Sequence, residues 1–372
     1  MDAPESYETI VIGGSQAGLT AGYYLAREGR EFLILEANER VGDAWRNRWD
    51  SLRLFTPAKF SRLPGMKIPG ASAWHFVTKD EMAEYLERYA RRFRLPVRTG
   101  VTVDGLTRRD GWFVVTAGEQ RFEAKNVIVA TGAHRIPKVP EFASELDPGI
   151  VQFHSSEYFN PSQLADGDVL VVGAGNSGAE IAYELAGARH CVLAGKSPGQ
   201  IPVPHGSLRS RPGFRVFRFF GHRVLRVDTR IGRKLAPKVL AHGPPLIRCR
   251  EPELAEAGVE RVGRVVGVER SQPVLEDGRV VEVPNVVWCT GFRNEFNWID
   301  LPVFDGDGQP EHYRGVVESE PGLYFLGLVF QYSLSSDVLP GRGRDARYIA
   351  KHLATKQRER AAAHPERALA AA

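Results

Sequence analysis

The sequence predicts an α/β fold of three layers, built from a strand–turn–helix–strand unit that occurs twice. Two glycine-rich turns carry this prediction, Gly13 to Gly18 and Gly173 to Gly178. The third observation is a matched pair of apolar strands that run into small residues, at Ala130-Thr131-Gly132 and Cys289-Thr290-Gly291. A small-residue strand end lets the chain pass close to a bound ligand. Together they predict two Rossmann-like nucleotide-binding domains.

The first unit covers residues 7–36. Residues 8–12 read as a buried strand, Gly13-Gly14-Ser15-Gln16-Ala17-Gly18 as the turn, 19–27 as a helix and 32–35 as a second strand. Gly13 permits the tight turn, and small Ser15 lets backbone N–H groups approach a pyrophosphate. Gly18 allows helix and strand to pack closely, and the helix N-terminus offers free donors and a positive dipole end. Gln16 and Ala17 complete the loop as candidate contacts. Glu36, 23 residues after Gly13, stands where a carboxylate accepts hydrogen bonds from ribose hydroxyls. Ser15 breaks the G-x-G-x-x-G pattern, but the flanking strand, helix and acid preserve its context.

A chain of 372 residues is long enough for two domains. Apolar content of 43% and charged content of 25% are ordinary for a soluble globular protein, and a formal charge of +4 does not argue for nucleic acid. No secretory segment or long apolar run is visible, so a cytoplasmic location is expected. Cys191, Cys249 and Cys289 form no C-x-x-C pair, which fits a reducing compartment and argues against dithiol chemistry.

The stretch after Glu36 carries Trp45, Trp49, Phe55 and Phe60 among polar, Gly and Pro residues. It is too irregular for a helix or strand and reads as a long functional loop. Arg46, Arg48 and Arg53 are each either a contact for phosphate or carboxylate or a solvated surface charge, and Trp45 and Arg46 are the cofactor-side candidates. Residues 80–93 form an amphipathic helix capped by Thr78, with Glu81 completing a capping box. Residues 97–103, 111–117 and 120–129 read as a small antiparallel sheet, and 137–147 as a linker.

The second unit has its strand at 168–172, its turn at Gly173-Ala174-Gly175-Asn176-Ser177-Gly178, its helix at 179–185 and its next strand at 190–194. That strand ends in Gly195 and Lys196, with no acid. A cation there favours a 2′-phosphate, hence NADPH over NADH, with Lys196 as the first contact. From Arg209 to Lys238 ten arginines and lysines are interleaved with Phe214, Phe217, Phe219 and Phe220. The preferred reading is a helical excursion, around 204–249, with solvated cations and buried phenylalanines. A nucleic-acid or membrane-surface reading ranks second. Strands resume at 259–268, 280–283 and 285–288, and the last is 323–328. Gly341 and Gly343 read as a turn before a final helix, with Arg344 and Asp345 beside the cofactor.

These stretches together resemble the flavin-containing monooxygenases, the class B flavoprotein monooxygenases, in their short form. The resemblance covers nearly the whole chain. It rests on GGSQAG at Gly13, Glu36, VGDAWRNRWDSLRLFTP at Val41, TKDEMAEYL at Thr78 and ATG at Ala130. HSSEY at His154, GAGNSG at Gly173, WCTGF at Trp288 and FLGL followed by GRGRDA complete it. It implies FAD on the first unit and NADPH on the second, with the NADPH domain (161–290) inserted into the FAD domain (1–160 and 291–372). Gly149, His154 and Tyr158 match the family's identifying stretch, while Asp147 and one extra residue depart from it. The implied chemistry is hydride transfer from NADPH to flavin, then oxygen transfer through a flavin C4a-hydroperoxide to an amine or sulfide. Phe55 stands where many members carry an asparagine, and it cannot hydrogen-bond an oxygen species through its side chain. An NAD(P)H-dependent FAD reductase or oxidase without oxygen insertion is therefore the alternative. A nucleotide sensor without turnover ranks below it.

Phe55, Gln331 and Ser335 are the candidate active-site neighbours. No metal site is expected, because His134, His154 and His205 stand alone. The expected partners are a small-molecule substrate and dioxygen, with no nucleic acid and no integral membrane segment. The oligomeric state is open, a homodimer included.

Overall fold

The computed structural model describes residues 4–132, 136–242 and 244–363. His134 lies outside them. The first sheet contains β1 (Glu5–Ile12), β2 (Phe32–Leu35), β3 (Val97–Arg98), β4 (Gly105–Arg109), β5 (Trp112–Ala117) and β6 (Gln120–Val129), in the order β3-β2-β1-β6-β5-β4. Helix α1 (Gln16–Arg27) connects β1 to β2, and α2 (Lys79–Arg92) lies between β2 and β3. Of the small antiparallel sheet expected here, 111–117 and 120–129 do form as β5 and β6, and β4, which was not expected, pairs with β5; all three belong to the main sheet rather than making their own. The first of the expected strands shrinks to β3, which pairs in parallel with β2. Gly100, at φ +69°, turns the chain away from the extended path.

The second sheet is wholly parallel and follows the same plan. It contains β7 (Val151–His154), β8 (Val169–Val172), β9 (Cys191–Ala194), β10 (Glu260–Val262) and β11 (Asn285–Trp288), in the order β10-β9-β8-β11-β7. Helix α3 (Asn176–Ala186) follows β8. Strand β7 lies ahead of residue 161, so this sheet begins earlier than the sequence suggested. Between β9 and β10 the chain makes its excursion: α4 (Ser210–Phe219), a π-helical turn (Phe220–Val224) and α5 (Arg230–His242). An antiparallel pair, Val265–Glu269 with Gln272–Leu275, follows β10. The strand expected at 280–283 is reduced to one bridge, between Val280 and Val274.

The chain then returns to the first sheet. Strand β12 (Leu323–Phe325) pairs with the inner half of β6, and α6 (Leu339–Ala363) packs along α1. The second Rossmann unit is thus inserted in the first. Gly341 and Gly343 lie inside the first turns of α6, not in a turn before it. Gly341 is required by packing, since a Cβ there would sit 1.8 Å from the Ser335 carbonyl oxygen.

Alternation along the strands divides each core into two layers. Val11, Ile34 and Ile128 face α1, α2 and α6, where they meet Leu19, Tyr85, Tyr89 and Ile349. Ile10, Ile12, Leu33, Leu35, Val127 and Val129 point the other way, onto Phe113, Phe296, Ile299 and Val303. In the second sheet Val169 and Val171 face α3, and Leu170 and Val172 meet Leu275, Val283 and Trp288. Among the described residues no helix is long and apolar enough to cross a membrane.

The cap of α2 is reciprocal, as the sequence suggested. Glu81 N–H donates to Thr78 Oγ1 at 3.2 Å, and Thr78 N–H donates to Glu81 Oε2 at 2.8 Å. Thr78→Ala is expected to lower stability by about 1 kcal/mol in urea unfolding, with the dependence on urea concentration unchanged.

Candidate cofactor and substrate site

The two glycine turns superimpose in their chemistry. Gly13 has φ +109° and Gly173 φ +110°. A Cβ on Gly13 would lie 2.6 Å from the Ala130 carbonyl oxygen, and one on Gly173 would lie 2.3 Å from that of Cys289. Gly18 and Gly178 each leave only 1.8 Å between a Cβ and the carbonyl oxygen of Gly13 or Gly173. The neighbouring strand ends are tied alike. Ala130 N–H donates to the Ile12 carbonyl at 2.8 Å, and Cys289 N–H to that of Val172 at 2.7 Å. Helices α1 and α3 both start without a side-chain cap and without an acid in the first turn. Their positive ends are therefore left for an external anion. Gly132 and Gly291, at φ +83° and +84°, face open space next to these turns, as does Gly175.

Around the first turn, Glu36 is buried. Its Oε2 accepts from Gly14 N–H at 2.6 Å and its Oε1 from Asn38 N–H at 3.0 Å. Trp45 Nε1 donates to Gln16 Oε1 at 3.0 Å, and Ser15 donates to the same oxygen. Arg46 is otherwise engaged: Asp43 at 2.7 Å, Glu87 at 3.0 Å and the Val41 carbonyl take its guanidinium. Arg48, two residues on, has no carboxylate partner among the described residues. Its guanidinium lies 5.9 Å from the Phe292 ring centroid, and burial lowers its pKa. Of the two, only Arg46 is neutralised by acids. Arg342 was not anticipated. It is buried, its Nε has no partner, and Gly327 separates its guanidinium from Ala17 at the start of α1.

Around the second turn, Asn176 is a structural tie. It donates to the Pro245 carbonyl at 3.0 Å and accepts from Ile247 N–H at 2.9 Å, which fixes the return of the excursion. Ser177 stays in the first turn of α3. Lys196 is exposed just past β9. Arg261 supports the same turn by donating to the Leu193 and Gly195 carbonyls, both at 3.3 Å. Thr290 Oγ1 donates to the Lys138 carbonyl. His154 Nδ1 accepts from Ser156 N–H at 3.2 Å, so its Nε2 carries the proton donated to the Gly291 carbonyl at 3.0 Å. Burial lowers the His154 pKa, in keeping with that neutral ring.

A third group of residues gathers at the N-terminus of α6. Gln331, a candidate active-site neighbour, is buried and bonded to backbone groups. Its Oε1 accepts from Gly327 N–H at 2.8 Å, and its Nε2 donates to the Arg314 carbonyl at 3.3 Å, which pins the bend after β12. Arg344 pairs with Asp345 at 2.7 Å and donates to Ser333 Oγ at 2.9 Å and Ser336 Oγ at 3.2 Å. Ser335 hydrogen-bonds His222 Nδ1 at 3.1 Å. Ser335 and His222 share a narrow cavity with Thr56, Phe60, Phe214, Arg218 and Val338. Next to it, Phe60, Trp74, Phe76 and Phe214 form an aromatic group, and His205 packs 4.2 Å from Phe76. His205 Nε2 donates to the Phe55 carbonyl at 2.8 Å, so a polar group does reach this position, through the backbone.

A model for the pyridine nucleotide-disulphide oxidoreductase family matches residues 10–200. The chain belongs to this family. An uncharacterized CzcO-like oxidoreductase of Geobacillus kaustophilus is 40% identical, over 92% of this chain and 97% of its own. Indole-3-pyruvate monooxygenase YUCCA1 of rice (Oryza sativa subsp. japonica) is 28% identical over 94% and 92%. A flavin-containing monooxygenase from Stenotrophomonas maltophilia has a solved structure that superimposes with a TM-score of 0.75. It is 26% identical and covers 95% of this chain and 99% of its own. The chain is an oxidoreductase whose relatives include flavin monooxygenases, as its motifs imply.

The three thiols lie in or against the core of the second unit. All are free, and burial pushes Cys191 and Cys249 up to about 12 and Cys289 upward as well. His222 is the residue that sequence reasoning missed at the cavity. Its one signal was a histidine inside a basic, phenylalanine-rich run. Burial, with Arg344 and Arg218 nearby, pushes its pKa down from 6.5 to about 4. Above about pH 6.5 the ring is neutral both folded and unfolded. Below it, the unfolded chain binds a proton that the folded chain refuses until about pH 4, so stability falls as pH falls through this window. Thermal unfolding at pH 7.5 and 5 tests this. Wild type is expected to lose about 1–2 kcal/mol more than His222→Gln on acidification, allowing for solvent screening.

Proposed function

We propose that the enzyme is an NADPH-dependent flavoprotein monooxygenase that transfers one oxygen atom from dioxygen to a small soft nucleophile, an amine or a sulfide. In this reading FAD occupies the first turn and NADPH the second. The FAD unit comprises residues 1–150 and 291–372, and the NADPH unit 151–290, with β7 assigned to the sheet it pairs with. The observation that carries the reading is a cradle present twice with opposite endings. Glu36 closes the first, and Gly195-Lys196 closes the second. An acid suits a free ribose diol, and a cation suits a 2′-phosphate.

The residues fit both groups. Uncapped helix starts, glycines open to space and the unpartnered Arg342 Nε are the features a pyrophosphate-bearing ligand uses. Bound flavin supplies hydride acceptance and dioxygen activation, and bound nicotinamide supplies the hydride. The chain's own part is to bind, orient and exclude water. The α1 and α3 N-termini hold the pyrophosphates, Glu36 receives ribose hydroxyls, and Arg48 contributes charge where the units meet. Phe60, Trp74, Phe76 and Phe214 keep the neighbouring space dry. Phe55 supports a second reading, an NAD(P)H-dependent FAD reductase or oxidase, because its side chain offers no hydrogen bond and His205 already takes its carbonyl.

Stopped-flow absorbance separates the two readings. The FAD-loaded enzyme is reduced with NADPH and mixed with dioxygen in the absence of substrate. A near-ultraviolet species distinct from oxidised flavin, persisting for seconds, is expected. Immediate return of oxidised flavin with stoichiometric hydrogen peroxide would establish the reductase or oxidase instead. Lys196→Ala is expected to raise the KM for NADPH roughly tenfold and leave that for NADH nearly unchanged, as befits loss of one charge-assisted contact.

A further inference from the structure

We propose that the excursion between β9 and β10 docks the enzyme onto the surface of an anionic lipid bilayer. The sequence favoured buried phenylalanines here, and the structure differs. One face of α4 and the π-helical turn points inward, with Phe214 and His222 half-buried and Gly221 buried. The opposite face carries Val216, Phe219 and Phe220, exposed by 54%, 58% and 48%. Leu208 and Ile231, at 72% and 60%, flank this face along the chain. Five of the ten large apolar side chains exposed among the described residues therefore fall within 24 residues. The bland account of the segment, as an ordinary amphipathic cover, leaves this concentration unexplained.

Charge identifies the occupant. Arg209, Arg211, Arg215, Arg218, Arg223, Arg230, Arg233 and Lys234 are exposed around these apolar groups. The one acid between residues 201 and 250 is Asp228, which Arg226 holds at 2.9 Å. Residues 209–238 carry ten cations against that acid, a balance of +9 in a chain of net +4, which leaves −5 for everything else. The molecule is thus a weakly acidic body with one strongly basic, apolar-tipped face. Basic helices with exposed Phe and Leu lie in the interface of anionic membranes, where cations meet headgroups and apolar side chains enter the acyl boundary. A nucleic-acid duplex would satisfy the cations but leave Leu208, Val216 and Ile231 in water.

The inner face of the same helix gives docking a use. Phe214, Arg218 and His222 line the cavity shared with Thr56, Phe60 and Ser335. A docked enzyme would hold that cavity next to the layer in which apolar substrates dissolve. The proposal does not depend on whether the enzyme inserts oxygen.

Co-sedimentation of the full-length, FAD-loaded enzyme with lipid vesicles tests it. The probes are vesicles of phosphatidylcholine alone and of phosphatidylcholine mixed with phosphatidylglycerol. Binding is expected to the mixed vesicles, to weaken with added salt and to be absent on the neutral ones. Phe219→Ser with Phe220→Ser should lower partitioning at least roughly tenfold while flavin content and NADPH oxidation stay unchanged. Arg215→Glu with Arg223→Glu should weaken it through charge alone. No binding to mixed vesicles, equal binding to neutral ones, or binding indifferent to the phenylalanine pair would each overturn the proposal. Tight binding of duplex DNA that ignores the phenylalanine pair and displaces the vesicles would assign the face to nucleic acid instead.

Discussion

Every functional feature of this chain depends on how closely a helix start can approach the end of a strand. At Gly18 and Gly178 there is 1.8 Å between the place of a Cβ and the carbonyl oxygen of the first turn glycine. Any larger residue would push α1 or α3 outward and carry the helix-terminal N–H groups away from their target. Gly13 and Gly173 meet a second limit, because the Ala130 and Cys289 carbonyls pass beside them. Strand, helix and adjoining strand end therefore converge on one point in each unit. The buried strands supply the rigidity, since their alternating Val, Ile and Leu side chains are packed on both faces.

The two points of convergence are held together by the loop that follows β2. Trp49 belongs to the first unit in sequence, yet it is buried in the core of the second, against Tyr158 and Leu246. Asp50 N–H donates to the Phe159 carbonyl at 2.7 Å, and Arg248 donates to the Arg53 carbonyl at 3.1 Å. His205 and Phe55 add a further tie, and His154 fixes the end of β7 to Gly291. The long loop contains two single helical turns, Asp43–Arg46 and Ala58–Ser61, where the sequence suggested irregular chain throughout. Its arginines divide by what surrounds them. Arg46 is neutralised by Asp43 and Glu87, whereas Arg48 is desolvated with no acid paired to it among the described residues.

That division marks the boundary of what sequence can reveal. Turn glycines, capping residues and strand alternation act over a few residues, so their structural parts were legible directly. Contacts decided by tertiary packing were not. Gln331 and Asn176 stood in suggestive positions, yet both are spent on backbone groups, Gln331 within its own bend and on Arg314, Asn176 on the return of the excursion. Arg342 and Arg344 differ by two places in one helix, and only packing against Gly327 distinguishes the buried one, whose Nε has no partner. His222 reaches the cavity because a π-helical turn redirects the chain, a geometry that no residue pattern announced. The phenylalanines of the excursion were interleaved with cations in sequence, but nothing in that pattern said which face would stay uncovered.

The central claim is that one cradle was used twice for two different nucleotides. Isothermal titration of NADP+ into protein that retains one FAD per chain tests it most directly. The account predicts a single NADP+ site per chain, with the FAD undisturbed. Two equivalent NADP+ sites, displacement of FAD by NADP+, or no binding at all would contradict it.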